Sequence, residues 1–237
     1  MKGKLMVLAA LAALVLSPVA SALAEGFYVT PKVGFSHMKA EDDGNVNIGR
    51  NGSKNIAPFG LAVGYDFKPD HDIPVRAEFE YAWRGKKEFT KDSGIGYEFD
   101  TGVTGDYDFK AKLGAQSFFV NAYFDIHNSS PVTPYIGLGL GLARVTAEYQ
   151  IGVSDISNGM DDFNLNHSKT KTNFSWNIGA GAAWKITDSI SLDLGYRYAD
   201  FGKVNPDMAF DIGLSSYWSA DVDLTAHEVL LGLRFGF

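Results

Sequence analysis

The sequence predicts an all-β fold, an eight-stranded antiparallel up-and-down transmembrane β-barrel preceded by a signal peptide. Three observations predict it. Apolar residues recur at every second position along most of the 237 residues, without a sustained helical period after the N-terminus. The residues between them are mostly small or charged, unlike the Lys- and Thr-rich face of a sheet that lies in water. The connections between the alternating segments are short and long in turn.

Residues 1–24 are predicted to be a secretory signal peptide. A basic start is followed by an apolar run from Leu5 to Leu16, and the small residues Ala22 and Ala24 mark the cleavage site. The apolar run is shorter than the roughly 20 residues that a transmembrane helix needs. The predicted domains are therefore the signal peptide and, over residues 25–237, a β-barrel with four long external loops.

The composition excludes several classes of protein. The absence of Cys excludes a disulfide scaffold, a Cys-based zinc site and a thiol nucleophile. The net charge of −7 argues against a nucleic-acid partner, which would need a basic face. With 14% aromatic residues, the chain can form a packed structure rather than a disordered one. We expect no cofactor and no metal.

The first three strands are predicted at 27–38, 57–67 and 75–84. The third shows the clearest alternation, because Arg76, Glu78, Glu80 and Arg84 oppose an entirely apolar face that runs from Val75 to Trp83. In the first strand Pro31 lacks an N–H donor, and a closed barrel has no free edge at which to place it. A bulge at Pro31 would solve this.

The fourth and fifth strands are predicted at 115–126 and 134–145. In the fifth, Gly137, Gly139 and Gly141 alternate with aliphatic residues. A row of glycines facing solvent would weaken a strand without any gain. Small residues are therefore expected to face a crowded barrel interior. The same run lacks the spacing and the following helix of a dinucleotide-binding loop.

The last three strands are predicted at 174–186, 190–198 and 228–237, again from alternation. Aromatic residues near the strand ends are expected to form the two interfacial belts of a membrane barrel. These residues are Trp83, Trp176, Trp184, Tyr196 and Tyr198.

Charged residues on the opposite face are expected to line the lumen as a charge network. A Lys or Arg facing lipid at mid-depth would cost about 2–4 kcal/mol, whereas charges of both signs can pair inside. The predicted network consists of Lys32, Arg76, Glu78, Glu80, Lys185, Asp193, Arg197, Glu228 and Arg234.

Connection lengths predict the orientation. The short connections are Lys68–Ile73, His127–Thr133 and Thr187–Ser189, and the long ones are 41–56, 85–112, 146–173 and 199–223. Short turns are typical of the periplasmic side and long loops of the extracellular side. Both termini are therefore expected in the periplasm. An eight-stranded barrel has an interior that side chains can fill, which argues against a wide pore.

Several short motifs resemble the OmpA-like and opacity-type eight-stranded outer-membrane barrels, a family of porin-like surface proteins. They are Gly64-Tyr65-Asp66-Phe67, Pro74 to Tyr81, Pro134 to Gly141, Leu194 to Tyr198 and Leu233 to Phe237. The resemblance implies the outer membrane of a Gram-negative cell, with lipid and lipopolysaccharide as surroundings. It also implies that Leu233, Phe235 and Phe237 form the terminal signal read by the barrel-assembly machinery.

Enzymatic chemistry is weakly indicated. Ser36-His37 and His167-Ser168 invite comparison with outer-membrane lipases, but no acidic partner for a triad can be assigned. The five histidines, of which His227 is the last, have no metal-ligand spacing. Acidic pairs at Asp42-Asp43 and Asp161-Asp162 lack the spacing of a calcium loop.

The long loops are the strongest candidates for function. They contain 18 acidic and 10 basic residues, a net charge of −8. Their aromatic residues interleave with polar ones, as on adaptable binding surfaces; they are Tyr97, Phe99, Tyr107, Phe109, Tyr149, Phe163, Phe210, Tyr217 and Trp218. We predict a non-enzymatic monomer that serves envelope integrity and surface adhesion, with a host or matrix ligand. The alternatives are a narrow porin-like channel and a lipid-modifying enzyme that uses His37 or His167.

Overall fold

A computed structural model describes residues 25–42, 52–98, 104–154, 163–204, 208–209, 217–218 and 222–237. The predicted signal peptide, with Ala22 and Ala24, lies outside them. The strands are β1 (Phe27–Asp42), β2 (Gly52–Ile56), β3 (Phe59–Asp66), β4 (Val75–Glu98), β5 (Thr104–Asp125), β6 (Val132–Ser154), β7 (Phe163–Lys185), β8 (Ile190–Val204), β9 (Met208–Ala209), β10 (Tyr217–Trp218) and β11 (Val222–Gly236). One short helix, α1 (Lys68–His71), lies between β3 and β4.

Antiparallel pairing closes these strands into a barrel. The order is β11-β8-β7-β6-β5-β4-β3-β1-β2, and β11 also pairs with β1. β2 and β3 both pair with β1, at Ser36–Ala40 and Phe27–Val33, so they occupy one position of the ring, interrupted at residues 57–58. The ring therefore has eight positions, and the predicted fold class is confirmed. β9 and β10 form a separate two-stranded ribbon.

The alternation along the strands separates the two faces as predicted. In β4, Phe79 is 55% exposed on the outside, whereas the neighbouring Glu80 is 1% exposed inside. Leu138 and Leu140 are likewise exposed, while Gly139 between them is buried. A continuous apolar outer band with an enclosed polar face is the arrangement that hydrocarbon surroundings require.

Pro31 lies in β1 without any register shift, so the expected bulge is absent. Phe237 donates its N–H to the Phe27 carbonyl, at 2.9 Å, which shows that Phe27 directs its backbone groups toward β11. Pro31 is four residues further along and has the same direction. The pairing with β11 lapses at Thr30 and Pro31 and resumes at Lys32, while the pairing with β3 continues. The barrel accommodates Pro31 by omitting the one backbone hydrogen bond to β11 that its missing N–H cannot donate.

The short connections lie together at one end of the barrel, which we call the short-turn end. The first contains α1, where the Lys68 ammonium bonds to Asp72 and lowers the pKa of that carboxyl group. In the second, the Ser130 hydroxyl donates to the Val132 carbonyl at 3.0 Å. No helix in the described ranges is long and apolar enough to cross a bilayer. We call the opposite end, from which the long connections leave, the long-loop end.

Much of the chain that was predicted as long loops is instead strand. Residues 85–98, 104–112, 146–154 and 163–173 extend β4 to β7, and 52–56 forms β2. The prediction was wrong there because alternation of hydrophobicity marks a strand only where one face meets lipid or a core. Beyond the apolar band the described outward side chains, such as Lys86, Glu148 and Thr170, are polar, so the strands persist through backbone pairing without an apolar outward face. Register shifts after Arg84, Glu88 and Ser93 further obscure the period.

Candidate functional site

Two separate ion pairs lie in the lumen near the short-turn end. Arg76 donates to both carboxylate oxygens of Asp125, at 2.7 Å from Nε and 2.9 Å from Nη2. Arg234 donates to Asp193, with 3.0 Å between Nε and Oδ2. The side chains of Arg76 and Asp125 are at most 5% exposed. Each charge therefore depends on its partner, because a buried charge without one is strongly destabilising.

Six alternating charges cross the lumen above these pairs. This charge chain consists of Glu78, Lys32, Glu80, Arg197, Glu228 and Arg84. The Arg197 guanidinium donates to Glu80 at 2.6 Å and to Glu228 at 2.7 Å. Glu228 also accepts from Arg84, at 2.6 Å from Nε and 2.9 Å from Nη2. The chain is electrically balanced, and each inner member contacts two opposite charges.

The structure places the predicted lumen charges inside the barrel, with one exception. Lys185 is the last residue of β7, its side chain is 59% exposed, and Nζ lies 2.8 Å from Oδ1 of Asp188 in the following turn. At the rim of the barrel a long side chain can reach water even when the strand alternation directs it toward the lumen. Arg84 and Asp125 complete the ion pairs but were not in the predicted network. Asp125 could have been found, since it has the inward parity of Asn121 in β5.

Glycines on the inner face of β6 make room for larger neighbours. A Cβ on Gly137 would overlap the ring of Tyr123, and one on Gly139 would overlap the side chains of Asn121 and Asn177. Asn177 donates to Asn121 at 3.0 Å across this space. The expectation that small residues face a crowded interior is confirmed.

The long-loop half of the lumen is apolar, which the sequence did not predict. This apolar layer contains Met38, Ile56, Leu113, Phe119, Val145, Phe201, Val204, Leu224 and several alanines, all at most 8% exposed. Three of its larger members, Ile56, Phe201 and Val204, fall in segments that were predicted as loops, so their inward parity went unnoticed. Their burial indicates that the barrel has a true hydrophobic core at this end.

The two halves meet at cation–π contacts. Arg84 Cζ lies 4.5 Å from the centroid of the Phe201 ring, and Arg197 Cζ lies 5.7 Å from that of Phe119. In the charged half, a cavity of about 50 Å³ borders Lys32, which is room for a few water molecules. The buried side chains of the charge chain and of the apolar layer occupy the described part of the lumen, which argues against a static open pore.

The barrel wall separates the members of both Ser–His motifs. Ser36 is buried inside, whereas His37 faces outward with its Nδ1 2.8 Å from Asn55 Oδ1. His167 and Ser168 are also consecutive in a strand and so point to opposite faces. A nucleophile and its base must lie within hydrogen-bond reach, so neither motif can act as such a pair. In the described ranges, no group of three or more His, Cys, Asp or Glu side chains could hold a metal ion.

Four strands continue far beyond the apolar band at the long-loop end. β4 to β7 are 22 to 24 residues long, whereas a tilted strand crosses the hydrocarbon in about 9–11 residues. Among described residues, β4 pairs only with β5 beyond Trp83, and β7 pairs only with β6 before Trp176. We call this extension of the sheet the wall; it comprises 85–98, 104–114, 146–154 and 163–175, and at its base Asn173 donates to the Phe201 carbonyl of β8 at 3.1 Å.

The wall is polar on the side that continues the lipid-facing surface. The Lys86 ammonium lies 2.5 Å from Glu148 Oε1, and the hydroxyls of Thr146 and Thr170 lie 3.1 Å apart. Arg144 is exposed at the base of this side. The loop aromatics named from the sequence, and the acidic pairs Asp42-Asp43 and Asp161-Asp162, have side chains outside the described set.

The chain is similar in sequence to a known family and to several known proteins. Residues 6–237 match the outer membrane protein beta-barrel domain. The chain is 30% identical over 227 residues to outer membrane protein PagN of Salmonella typhimurium, which covers 90% of each chain. It is 23% identical over 236 residues to a Rickettsia typhi protein provisionally named as an adhesin, covering 98% of this chain and 99% of that one.

Among solved structures, the chain is similar to Neisserial surface protein A, with 22% identity and a TM-score of 0.49, over 90% of this chain and 97% of that one. The family match spans the whole described barrel, and it confirms the predicted resemblance and the outer-membrane localisation. The chain belongs to the outer membrane protein beta-barrel domain family.

Proposed function

We propose that this protein is a non-enzymatic outer-membrane adhesin whose wall attaches the cell to a ligand on a host cell or matrix. The length of β4 to β7 carries the proposal, because roughly half of each strand is not needed to cross the membrane. With a rise of about 3.3 Å per residue and a tilt of about 40°, residues 85–98 would extend about 35 Å above the apolar band.

The relatives support this role. The Rickettsia typhi protein with the provisional adhesin name aligns over 99% of its length, so the likeness extends over nearly the whole of both chains. The filled lumen supports attachment over a porin-like channel, since the charge chain and the apolar layer leave no wide path among described residues. The separated Ser–His motifs support a role without catalysis.

Attachment requires the wall to face outward. We infer that the long-loop end is extracellular and that the termini are periplasmic. Lipid and lipopolysaccharide would then surround the apolar band, and the chain would act as a monomer. Leu233 and Phe235 on β11, with Phe237 directly after it, would serve the barrel-assembly machinery; the Phe237 N–H also donates to the Phe27 carbonyl of β1.

Shortening the wall tests the proposal. One variant replaces residues 89–111 with an Asn-Gly turn, and a second replaces 148–168 in the same way, so that each remaining hairpin closes on paired residues. Both are expressed in a non-adherent Gram-negative strain, and attachment to epithelial cells and to matrix-coated wells is counted. The parent chain should increase attachment over empty vector, and at least one shortened wall should abolish that increase.

The matched control shortens the connection between β8 and β11, which contains the β9–β10 ribbon. It should attach like the parent chain. A heat-dependent shift in gel mobility checks that every variant folds in the outer membrane. Attachment that survives both wall deletions, or that is lost only with the control deletion, would refute the role of the wall. No attachment by the parent chain would refute adhesion itself.

A further inference from the structure

We propose that His37 and His227 form a two-histidine site for a divalent late transition-metal ion on the outer surface of the barrel, where β1 meets β11. The two residues are direct partners in the antiparallel β1–β11 pairing. Direct partners present their side chains on the same face, with Cβ atoms about 5 Å apart. Both side chains are half-buried on the outward face, next to the apolar band that includes Phe35 and Val229.

The hydrogen bonds hold Nδ1 of each imidazole on the side away from the seam between β1 and β11. His37 Nδ1 lies 2.8 Å from Oδ1 of Asn55 on β2, on the side of β1 away from β11. His227 Nδ1 lies 2.6 Å from the hydroxyl of Tyr196 on β8, on the side of β11 away from β1. In an imidazole, Nδ1 and Nε2 flank Cε1 and their lone pairs diverge. Each Nε2 is therefore directed away from the contact that holds Nδ1, and in the proposed site it faces the seam between β1 and β11.

The contact with Asn55 prepares His37 for a metal, and the Tyr196 hydroxyl, which can accept as well as donate, is compatible with the same tautomer of His227. The Asn55 carbonyl oxygen can only accept, so His37 Nδ1 carries the hydrogen and Nε2 presents its lone pair. Metal-binding histidines commonly hold their second nitrogen in this way. The rings of Tyr196 and Tyr198 pack against His227, with centroids 6.1 and 5.3 Å away, and restrict its rotation. Neither Nε2 has a partner among the described residues.

Two neutral imidazoles define the class of ion. They suit Cu²⁺, Ni²⁺ and Zn²⁺, whereas Ca²⁺ and Mg²⁺ prefer oxygen ligands. For a fixed pair of nitrogen ligands, Cu²⁺ is expected to bind most tightly. Water would complete the coordination, since no third protein ligand is placed there among the described residues.

An ion bound at this site should stabilise the folded barrel. β1 and β11 are the first and last strands of the barrel, so a bound ion links the two elements whose pairing closes it. The two histidines are far apart in the unfolded chain. An ion that binds only the folded state stabilises it in proportion to the logarithm of its concentration above the dissociation constant.

Copper titration of the untagged protein, extracted in detergent, tests the site. Calorimetry should give one tight Cu²⁺ site, and electron paramagnetic resonance should show two nitrogen ligands. His37→Gln and His227→Gln should each weaken binding by at least about tenfold and leave one nitrogen. His167→Gln is the matched control, because His167 is an exposed histidine on β7 far from the seam; it should bind like the parent.

Stability provides a second measurement. Zn²⁺ should raise the temperature at which the parent barrel unfolds on gels, and it should leave His37→Gln/His227→Gln unchanged. Tyr196→Phe, which removes a positioning contact, should weaken Cu²⁺ binding less than loss of either histidine. Equal Cu²⁺ affinity in the parent and the double variant, or a spectrum with a single nitrogen ligand in the parent, would overturn the proposal.

Discussion

The two halves of the lumen use the same inward positions for opposite chemistry. Near the short-turn end, side chains such as Arg76 and Glu80 are buried as ions and depend on specific partners. Near the long-loop end, side chains such as Phe201 and Leu224 are equally buried but need only apolar neighbours. The charged half is thus fixed by pairing and the apolar half by packing. The two halves should therefore respond differently to substitution.

The two halves of the lumen therefore contribute differently to the fold. Charges shared along a chain set the register of strands that are distant in sequence, because a shift would leave them unpaired. Glu228 illustrates this, since its partners lie on β4 and β8 while it lies on β11. The apolar layer instead closes the barrel below the wall. Together they form a rigid base from which the wall extends.

The largest effect is expected from Glu228→Gln. This change removes one negative charge from the charge chain and leaves Arg84 without an ionic partner in a site that is fully buried. Breaking a buried pair in this way costs about 3–5 kcal/mol. The free energy of unfolding should fall by that amount in urea titrations of the barrel in lipid vesicles, followed by tryptophan fluorescence.

A second substitution separates pairing from packing at this position. Arg84→Met combined with Glu228→Gln removes one charge of each sign and restores the balance of the chain. The double variant should be more stable than the sum of the two single changes predicts, because the pair is coupled. Additive losses would contradict the view that the charged half is fixed by pairing.

A smaller loss is expected from Leu224→Ala in the apolar layer. The change leaves a cavity in a fully buried cluster, and such changes cost about 2–5 kcal/mol. We expect the lower part of this range, because the neighbouring side chains of the apolar layer can relax into some of the space. The matched control, Leu224→Met, keeps the volume and should cost less than about 1.5 kcal/mol. Equal losses in both variants would show that shape rather than volume matters there.

Sequence alternation was sufficient for the barrel and for the charged half. Because the period of a strand is two, the parity of Arg76, Glu78 and Glu80 against Phe79 determined which side chains are enclosed. Alternation gave strands that were too short above the membrane, where β4 to β7 continue with polar outward side chains such as Glu148 and Thr170. Part of the apolar layer was missed for a related reason, since Phe201 and Val204 fall in a segment that was predicted as a loop.

Pairs formed by closure of the barrel could not be predicted from spacing. His37 and His227 lie near opposite ends of the chain, and only the pairing of the first and last strands makes them neighbours. Arg84 and Glu228, which hydrogen-bond at 2.6 Å, are a second example. Spacing along a sequence reveals sites built within one element, and these sites are built between elements.

The smallest effect is expected from Lys185→Met, which tests the boundary of the charged half. Lys185 and Asp188 are both largely exposed, and exposed pairs contribute little to stability. Unfolding at neutral pH should not change measurably, whereas Arg234→Met, which leaves Asp193 without that partner in the lumen, should destabilise clearly.

The pH dependence of the Asp188 carboxyl group also tests the contribution of this pair. Lys185 donates a hydrogen bond to Asp188 and lowers the pKa of that carboxyl group below its ordinary value of 3.8. Any contribution of the pair is therefore present above pH 3.8 and is lost as the pH falls through the lowered pKa. In Lys185→Met that pKa should return toward 3.8, which nuclear magnetic resonance of the Asp188 carboxyl carbon can follow. A clear loss of stability at neutral pH in Lys185→Met would instead extend the charge network to the rim, as alternation alone predicted.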